Sequence, residues 1–313
     1  MRIHPITAPL VHTYSIVARD ATSAEMGVAV QSHWFSVGGN VSWTEAGVGV
    51  VTTQAWAEVS YGPLGLDLLR AGKAPQQALD ALVAADDGRD LRQVAMVDAQ
   101  GRTAAYTGKR CLREAGHQVG AGFSVQANMM LTPEVVPAMA EAFQSAQGDL
   151  AERMLRALEA AQAAGGDIRG QQSACLQIVG GERMGMTWEG VRFDLRVEDH
   201  PSPLVELRRL VQVQRGYHLM DQGDALIAGG DVEGGLAAYR QAVELIPGNP
   251  EVPFSYAVLL ADQGRMDEAR TILEQVARAN PTYVEFYARI TAAGFAKENP
   301  ALLEYLRQLT ANG

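Results

Sequence analysis

Two short stretches decide the fold of this chain: HTYSIVARD at residues 12–20 and GVAVQS at residues 27–32. Both are rich in β-branched and small residues, and a turn-rich run separates them, which predicts two strands. A third stretch, GVGVVTT at residues 47–53, has the same character. None of them alternates regularly between polar and apolar residues, so we expect central strands that are covered on both faces.

The order of elements up to residue 199 predicts an α+β domain. Helix pairs are expected at 64–71 with 75–86 and at 133–147 with 149–164. Further strands are expected at 93–98, 103–107, 122–128, 173–179, 183–188 and 191–197. Because the helices come in pairs rather than between single strands, an antiparallel sandwich with outer helices is favoured over a doubly wound parallel sheet.

A linker, DHPSP at residues 199–203, interrupts both the helical and the strand periodicity. We therefore predict a first domain at 10–199 and an all-helical second domain at 204–313. The second domain contains an internal repeat, since Pro247 and Pro281 lie 281 − 247 = 34 residues apart. This period resembles that of tetratricopeptide repeats.

The two repeat units found in the sequence are too few to be stable alone. We expect the helices at 203–215 and 283–309 to cap them, against the first domain or a second copy of the chain. The resemblance to tetratricopeptide repeats implies a homo-oligomer or a peptide partner bound through this region.

The composition excludes several classes of function. The 313 residues carry a formal charge of −10, which argues against nucleic acid and against anionic membrane surfaces. No apolar run is long enough to span a bilayer, and residues 1–11 make a poor signal peptide. The two cysteines, Cys111 and Cys175, stand alone, so a cytoplasmic protein with reduced thiols is expected. We predict no cofactor and no metal site.

Candidate catalytic residues gather on the predicted strands. Thr13 and Ser15 place two hydroxyls on one face of the first strand. A threonine that becomes the amino terminus can act as nucleophile with its own α-amine as base, although a structural threonine is the commoner case. Gln54 and Asn128 can support an oxyanion or cap local backbone. For His33, a hydrogen-bonded structural role is favoured over a role as catalytic base.

Many short motifs together resemble a bacterial and archaeal family, domain of unknown function 1028. They are HTYSIVARD, GVAVQSHWF, AGVG, TQAW, YGP, GH, QANM and GGDIRG, in this order between residues 12 and 170. The resemblance extends from about residue 13 to residue 197. It implies the four-layer αββα sandwich of N-terminal nucleophile hydrolases, and it strengthens the catalytic reading of Thr13.

The resemblance does not supply a substrate. The first hypothesis is an amide-bond hydrolase in which Thr13 attacks a small amide or a peptide after residues 1–12 are removed. Asn128 or a neighbouring group then helps the oxyanion. The alternative is a non-catalytic binding or assembly protein that keeps the fold.

Overall fold

The computed structural model describes residues 10–11, 13–186 and 188–311. By contacts, the chain divides into two compact units, one up to Val211 and one from Gln212 onward. The division lies inside a long helix that starts at Pro203. The domain boundary at 199–204 therefore stays a prediction drawn from the proline-rich sequence.

The described strands of the first unit form two sheets, and every pairing among them is antiparallel. The strands are β1 (Leu10–Val11), β2 (Thr13–Arg19), β3 (Met26–Ser32), β4 (Ser42–Glu45), β5 (Gly49–Trp56), β6 (Arg92–Asp98), β7 (Thr103–Thr107), β8 (Gly116–Gly120), β9 (Phe123–Ala127), β10 (Ser173–Val179) and β11 (Val191–Val197). One sheet has the order β11-β10-β3-β2-β9-β8, and the other has the order β1-β5-β6-β7 with β4 also paired to β5.

Two helix layers cover the outer faces of the sheets. They consist of α2 (Tyr61–Arg70), α3 (Pro75–Ala85), α4 (Val135–Ser145) and α5 (Leu150–Ala163). The short helix α1 (Gly38–Val41) instead packs its Val41 with Val30 and Cys175, on the inward faces of β3 and β10. The pair α4–α5 packs on β2, β3 and β9 through a large apolar core, and α2–α3 packs on β5 and β6 through a second core. A third apolar cluster, containing Val17, Val28, Val50 and Val97, lies between the two sheets. The result is the predicted four-layer αββα sandwich.

Strands β2, β3 and β5 are buried almost throughout, as the unalternating sequence predicts. Their inward faces change in character along their length. On β2 the inward positions run Thr13, Ser15, Val17, from polar to apolar, because successive inward side chains lie two residues apart. One end of the space between the sheets is therefore polar, and the other end is apolar.

Three sequence predictions need correction. The helix expected at 64–71 begins at Tyr61, because Gly62 and Pro63 fit in its first turn, where a missing N–H costs little. The segment 116–120, which we did not predict as a strand, is the edge strand β8. The strand predicted at 183–188 is wrong: β10 pairs directly with β11, and the described residues of that segment form their connection.

The second unit consists of helices. They are α6 (Pro203–Ala228), whose later part belongs to this unit, α7 (Val232–Leu245), α8 (Glu251–Asp262), α9 (Met266–Ala279), α10 (Thr282–Ala292) and α11 (Pro300–Ala311). The predicted 34-residue repeat corresponds to α7 and α9, whose N-terminal flanking glycines, Gly230 and Gly264, both have positive φ. The segment expected to cap the repeats at 283–309 forms a further helix pair, α10–α11.

Candidate functional site

Thr13 is the first residue of β2, a central strand of the six-stranded sheet, and it is fully buried. It pairs with Ser32 on β3 on one side, and its carbonyl accepts a hydrogen bond from the Asn128 backbone N–H at 3.1 Å on the other. Two residues earlier the backbone belongs to the other sheet, since Val11 pairs with Ala55. Thr13 therefore stands where the chain crosses between the two sheets, at the polar end of the sandwich. The predicted removal of residues 1–12 concerns a segment of which only Leu10–Val11 is described.

A chain of buried side-chain hydrogen bonds starts from Ser15. The Ser15 hydroxyl donates to Gln54 Oε1 at 2.6 Å and accepts from Gln126 Nε2 at 2.7 Å. Gln54 Nε2 then donates to Gln93 Oε1 at 2.7 Å. Because Ser15 and Gln126 lie in one sheet and Gln54 and Gln93 in the other, these bonds tie the two sheets together. We call this set, with Asn128, the amide network.

Asn128 follows β9 and completes the network. Its Nδ2 donates to Gln93 Oε1 at 2.8 Å and to the Thr13 carbonyl at 3.4 Å. Gln54 Nε2 also donates to the Thr13 carbonyl, at 3.2 Å. Asn128 thus lies in contact with Thr13, as the sequence predicts. Both amides direct hydrogens at the Thr13 backbone, and the longest bond, from Asn128, is the weakest.

The amide network has no ionisable member. Gln93 Nε2 donates to Thr107 Oγ1 at 3.0 Å, and this hydroxyl lies 2.8 Å from His117 Nδ1. His117, on the edge strand β8, is the first titratable side chain reached along these bonds. Partial desolvation lowers the pKa of its ring below the usual value. The described hydrogen-bond partners of the network therefore include no carboxylate or amine that could act as the base for a nearby hydroxyl.

The residues that directly follow two of the amides have a strained backbone. Ala55, directly after Gln54, has φ of 70°, and Met129, directly after Asn128, has φ of 60°. Both residues carry a Cβ, so the left-handed conformation is costly and persists only where surrounding contacts enforce it. Arg92 supplies such contacts beside Ala55, since it pairs with Ala55 across the strands and its Nη1 donates to the Trp56 carbonyl at 2.7 Å. Strain of this kind concentrates at functional sites.

His33 lies apart from the network. Its backbone N–H donates to Asp167 Oδ2 at 3.2 Å, and its Nδ1 lies 3.3 Å from the Gln171 carbonyl. Asp167 is also paired with Arg169 Nη2 at 2.7 Å. These contacts fit the structural role of His33, and its catalytic role stays a prediction.

The helix-facing side of β2 holds a different polar group. Tyr14 is fully buried and donates to Gln162 Oε1 at 3.0 Å. Burial, and then the charge of Asp167, raises the pKa of Tyr14 well above its ordinary value, so its hydroxyl stays protonated. Gln31, paired with Tyr14 across the strands, is fully buried, and neither atom of its amide has a hydrogen-bond partner. Strand alternation puts both side chains on the face opposite the amide network.

Gln93 and Gln126 are site residues that the sequence reasoning missed. A usable signal exists, because each is the one amide in a short strand that also carries buried apolar residues, as Gln54 is. Glutamine is rarely fully buried. Its recurrence on separate buried strands indicates a shared interior network.

Neither a metal centre nor a membrane span emerges from the described part of the chain. No group of three or more His, Cys, Asp or Glu residues there could hold a metal ion. No helix within it is long and apolar enough to cross a membrane.

The arrangement of the two sheets and the two helix layers defines the class of the first unit as an α+β sandwich with the order αββα. Residues 13–207, well over half of the chain, match the family described as "Family of unknown function (DUF1028)". The chain belongs to this family. Residues 226–292 match a tetratricopeptide repeat.

A solved structure supports the same assignment. The crystal structure of protein SPO2555 from Silicibacter pomeroyi, a member of the same family, matches with 31% identity and a TM-score of 0.59. The match covers 64% of this chain and 85% of that chain. No curated protein matches this chain.

Proposed function

We propose that the first unit is an amide-bond hydrolase of the N-terminal nucleophile type, with Thr13 as nucleophile after residues 1–12 are removed. One observation carries the proposal: Thr13 begins a buried central strand beside the amide network, whose members among the described residues are amides and a hydroxyl. A free α-amine on Thr13 supplies a base directly beside its own hydroxyl. An α-amine has a reference pKa of about 7.7–8.0, so part of it is neutral near pH 7.

The proposed chemistry is hydrolysis of an amide in two steps. The Thr13 Oγ attacks the carbonyl carbon, its proton passes to the α-amine, and the C–N bond breaks as the leaving amine takes that proton. Water then attacks the resulting ester, with the α-amine again as base, and releases a carboxylic acid. Asn128 stabilises the oxyanion by turning toward it the Nδ2–H that donates to the Thr13 carbonyl. At 3.4 Å from Nδ2 to the carbonyl oxygen, this hydrogen bond is long and costs little to break.

The pairing of the preceding segment supports cleavage at Thr13. Leu10 and Val11 pair with Trp56 and Ala55 on one sheet, while β2 lies in the other. A cut just before Thr13 falls in the crossover and leaves β2 unbroken. It also frees the edge of β5 next to Gln54, which opens the polar end of the sandwich.

A screen of small neutral amides and short peptides tests the proposal. We expect hydrolysis by the wild-type protein, partial activity in Thr13→Ser and none in Thr13→Ala. Both variants are compared with wild type by urea unfolding, so that a loss of fold is not mistaken for a loss of chemistry. Activity that survives in Thr13→Ala but disappears in Ser15→Ala would move the nucleophile to Ser15 and refute the proposal.

The helical unit supports a second candidate function, that of a binding or assembly protein. The tetratricopeptide match over residues 226–292, which includes α7 to α10, favours a peptide partner or a second copy of the chain. In this case, removing residues after Val211 lowers the number of chains per particle measured by light scattering, or abolishes partner binding, while the tryptophan fluorescence of the first unit is unchanged. We place both candidates in the cytoplasm, consistent with the unpaired Cys111 and Cys175.

A further inference from the structure

The six-stranded sheet ends at β11, a strand of seven residues with the sequence VRFDLRV. Among the described strands, β11 pairs only with β10, so it forms one edge of the sheet. The backbone N–H and C=O groups along such an edge can pair with a further strand. The opposite edge, β8, has five residues and begins and ends with glycine, which makes it a weaker template. The sheet is therefore best extended at β11.

The regular part of this edge is short and has a defined centre. At its start, the pairing with β10 shifts register and leaves Arg192 as an extra residue in a β-bulge. Directly after its end, the Glu198 carbonyl accepts a hydrogen bond from the Ser36 N–H at 3.0 Å. Residues 193–197 lie between these two features, and we call them the free edge. The middle residue of the free edge is Leu195.

The free edge separates apolar from charged side chains. Phe193 and Val197 are buried in the core beneath the helices, and Leu195 packs against the same core. Asp194 and Arg196 lie on the opposite face by strand alternation, with side chains that are 47% and 37% exposed. Charges on an edge strand commonly prevent pairing with another strand. Because these two charges are opposite in sign, they attract or repel a further strand according to its register.

The charge pattern selects one register for a second copy of the same edge. In an antiparallel pair with two-fold symmetry, a contact of residue i with residue j is matched by a contact of j with i. With Leu195 at the centre, Asp194 lies opposite Arg196 twice. In the same register Phe193 lies opposite Val197, so apolar side chains meet on the other face. A centre at Asp194 or Arg196 puts two like charges directly opposite each other, which is destabilising. The register centred on Leu195 also uses the free edge from end to end.

We propose that two copies of the chain pair antiparallel along their free edges, centred on Leu195. The two six-stranded sheets then form one continuous sheet, joined by about four to six backbone hydrogen bonds and by two contacts of Asp194 with Arg196 of the other copy. The residues just outside the free edge agree with this register, because Arg192 comes opposite Glu198. A second copy is favoured over a foreign strand, since the edge is complementary to itself. The interface lies in the first unit and depends neither on the hydrolase nor on the helical repeats.

Charge reversal in the full-length chain tests the pairing. Asp194→Arg and Arg196→Asp each put like charges opposite each other in the proposed register. We expect each to raise the dissociation constant of the pair about 10- to 100-fold. At concentrations between the two constants, light scattering should then find half as many chains per particle as in wild type. The matched control, Arg209→Asp, reverses an exposed charge of α6 outside the free edge and should leave this number unchanged.

An equimolar mixture of the two variants gives the sharpest result. In a mixed pair every reversed charge lies opposite a charge of the other sign, so the number of chains per particle should return to that of wild type. Urea unfolding followed by tryptophan fluorescence checks that each variant is folded. Wild type with one chain per particle would overturn the inference and leave the edge to a foreign strand. Equal numbers for wild type and both variants, or a mixture that does not recover, would also overturn it.

Discussion

Replacing Gln93 by leucine removes the centre of the amide network. The Gln93 side chain accepts hydrogen bonds at its Oε1 from Gln54 and Asn128, and its Nε2 has three acceptors in reach: Thr107 Oγ1 and the carbonyls of Gly116 and Ala127. Because an amide nitrogen has two hydrogens, these contacts amount to four full hydrogen bonds. At about 1 kcal/mol net per bond the loss is about 4 kcal/mol, and burial of the added apolar surface returns about 2 kcal/mol. We expect Gln93→Leu to lower the free energy of unfolding by about 2 kcal/mol. In a unit of this size that corresponds to a fall in Tm of about 4–8 °C.

Gln31→Leu is the matched control. Gln31 is equally buried on a central strand, but its amide has no hydrogen-bond partner, so leucine costs no bond and removes a desolvated amide. We expect its free energy of unfolding to be unchanged or about 1 kcal/mol higher than that of wild type.

The assay is urea unfolding followed by tryptophan fluorescence. All four tryptophans precede Val211, so the signal reports the first unit alone: Trp34, Trp43, Trp56 and Trp188. The slope of the free energy of unfolding against urea concentration should be the same for all variants, so that differences in the urea midpoint report differences in stability. Equal midpoints for Gln93→Leu and wild type, or equal losses for Gln93→Leu and Gln31→Leu, would refute the reasoning.

Three further changes probe other parts of the chain. Burial alone would raise the pKa of Glu152, but its hydrogen bond from Arg208 lowers the pKa below the ordinary 4.5. The ionised Glu152 therefore stabilises the folded state above about pH 4.5, and this contribution is lost as the pH falls below that value. Arg208→Ala should therefore lower the urea midpoint more at pH 7 than at about pH 3.5. Gly223→Ala should lower the Tm of the helical unit in far-UV circular dichroism but leave tryptophan fluorescence unchanged, since its Cβ would lie 2.6 Å from the Tyr239 ring. If the hydrolase proposal holds, Asn128→Ala should lower kcat about 100-fold in a substrate assay while KM changes less.

The layers could be predicted from the sequence because hydrophobic pattern determines them. The strands around Thr13 follow from β-branched runs. The helices at 75–86 and 149–164 follow from Pro75 in a first turn and from Asp149, which caps α5. Edge elements carry a weaker signal. Strand β8 is formed by glycines and polar residues and is held by pairing to β9, which no local pattern reveals.

The candidate site was predictable only in part. Thr13, Ser15, Gln54 and Asn128 are polar residues on predicted strands, and the structure brings them together. Their connection through Gln93 depends on how β6 stacks over the opposite sheet. That stacking is a long-range arrangement, and the sequence of β6 does not specify it.

The mass of the intact purified protein tests the central claim most directly, because a catalytic α-amine on Thr13 requires removal of residues 1–12. The full chain has a mass of 33.6 kDa. We predict that protein active on amides begins at Thr13, by mass and by N-terminal sequencing. Full-length protein that hydrolyses amides at the same rate as the processed form would contradict the account.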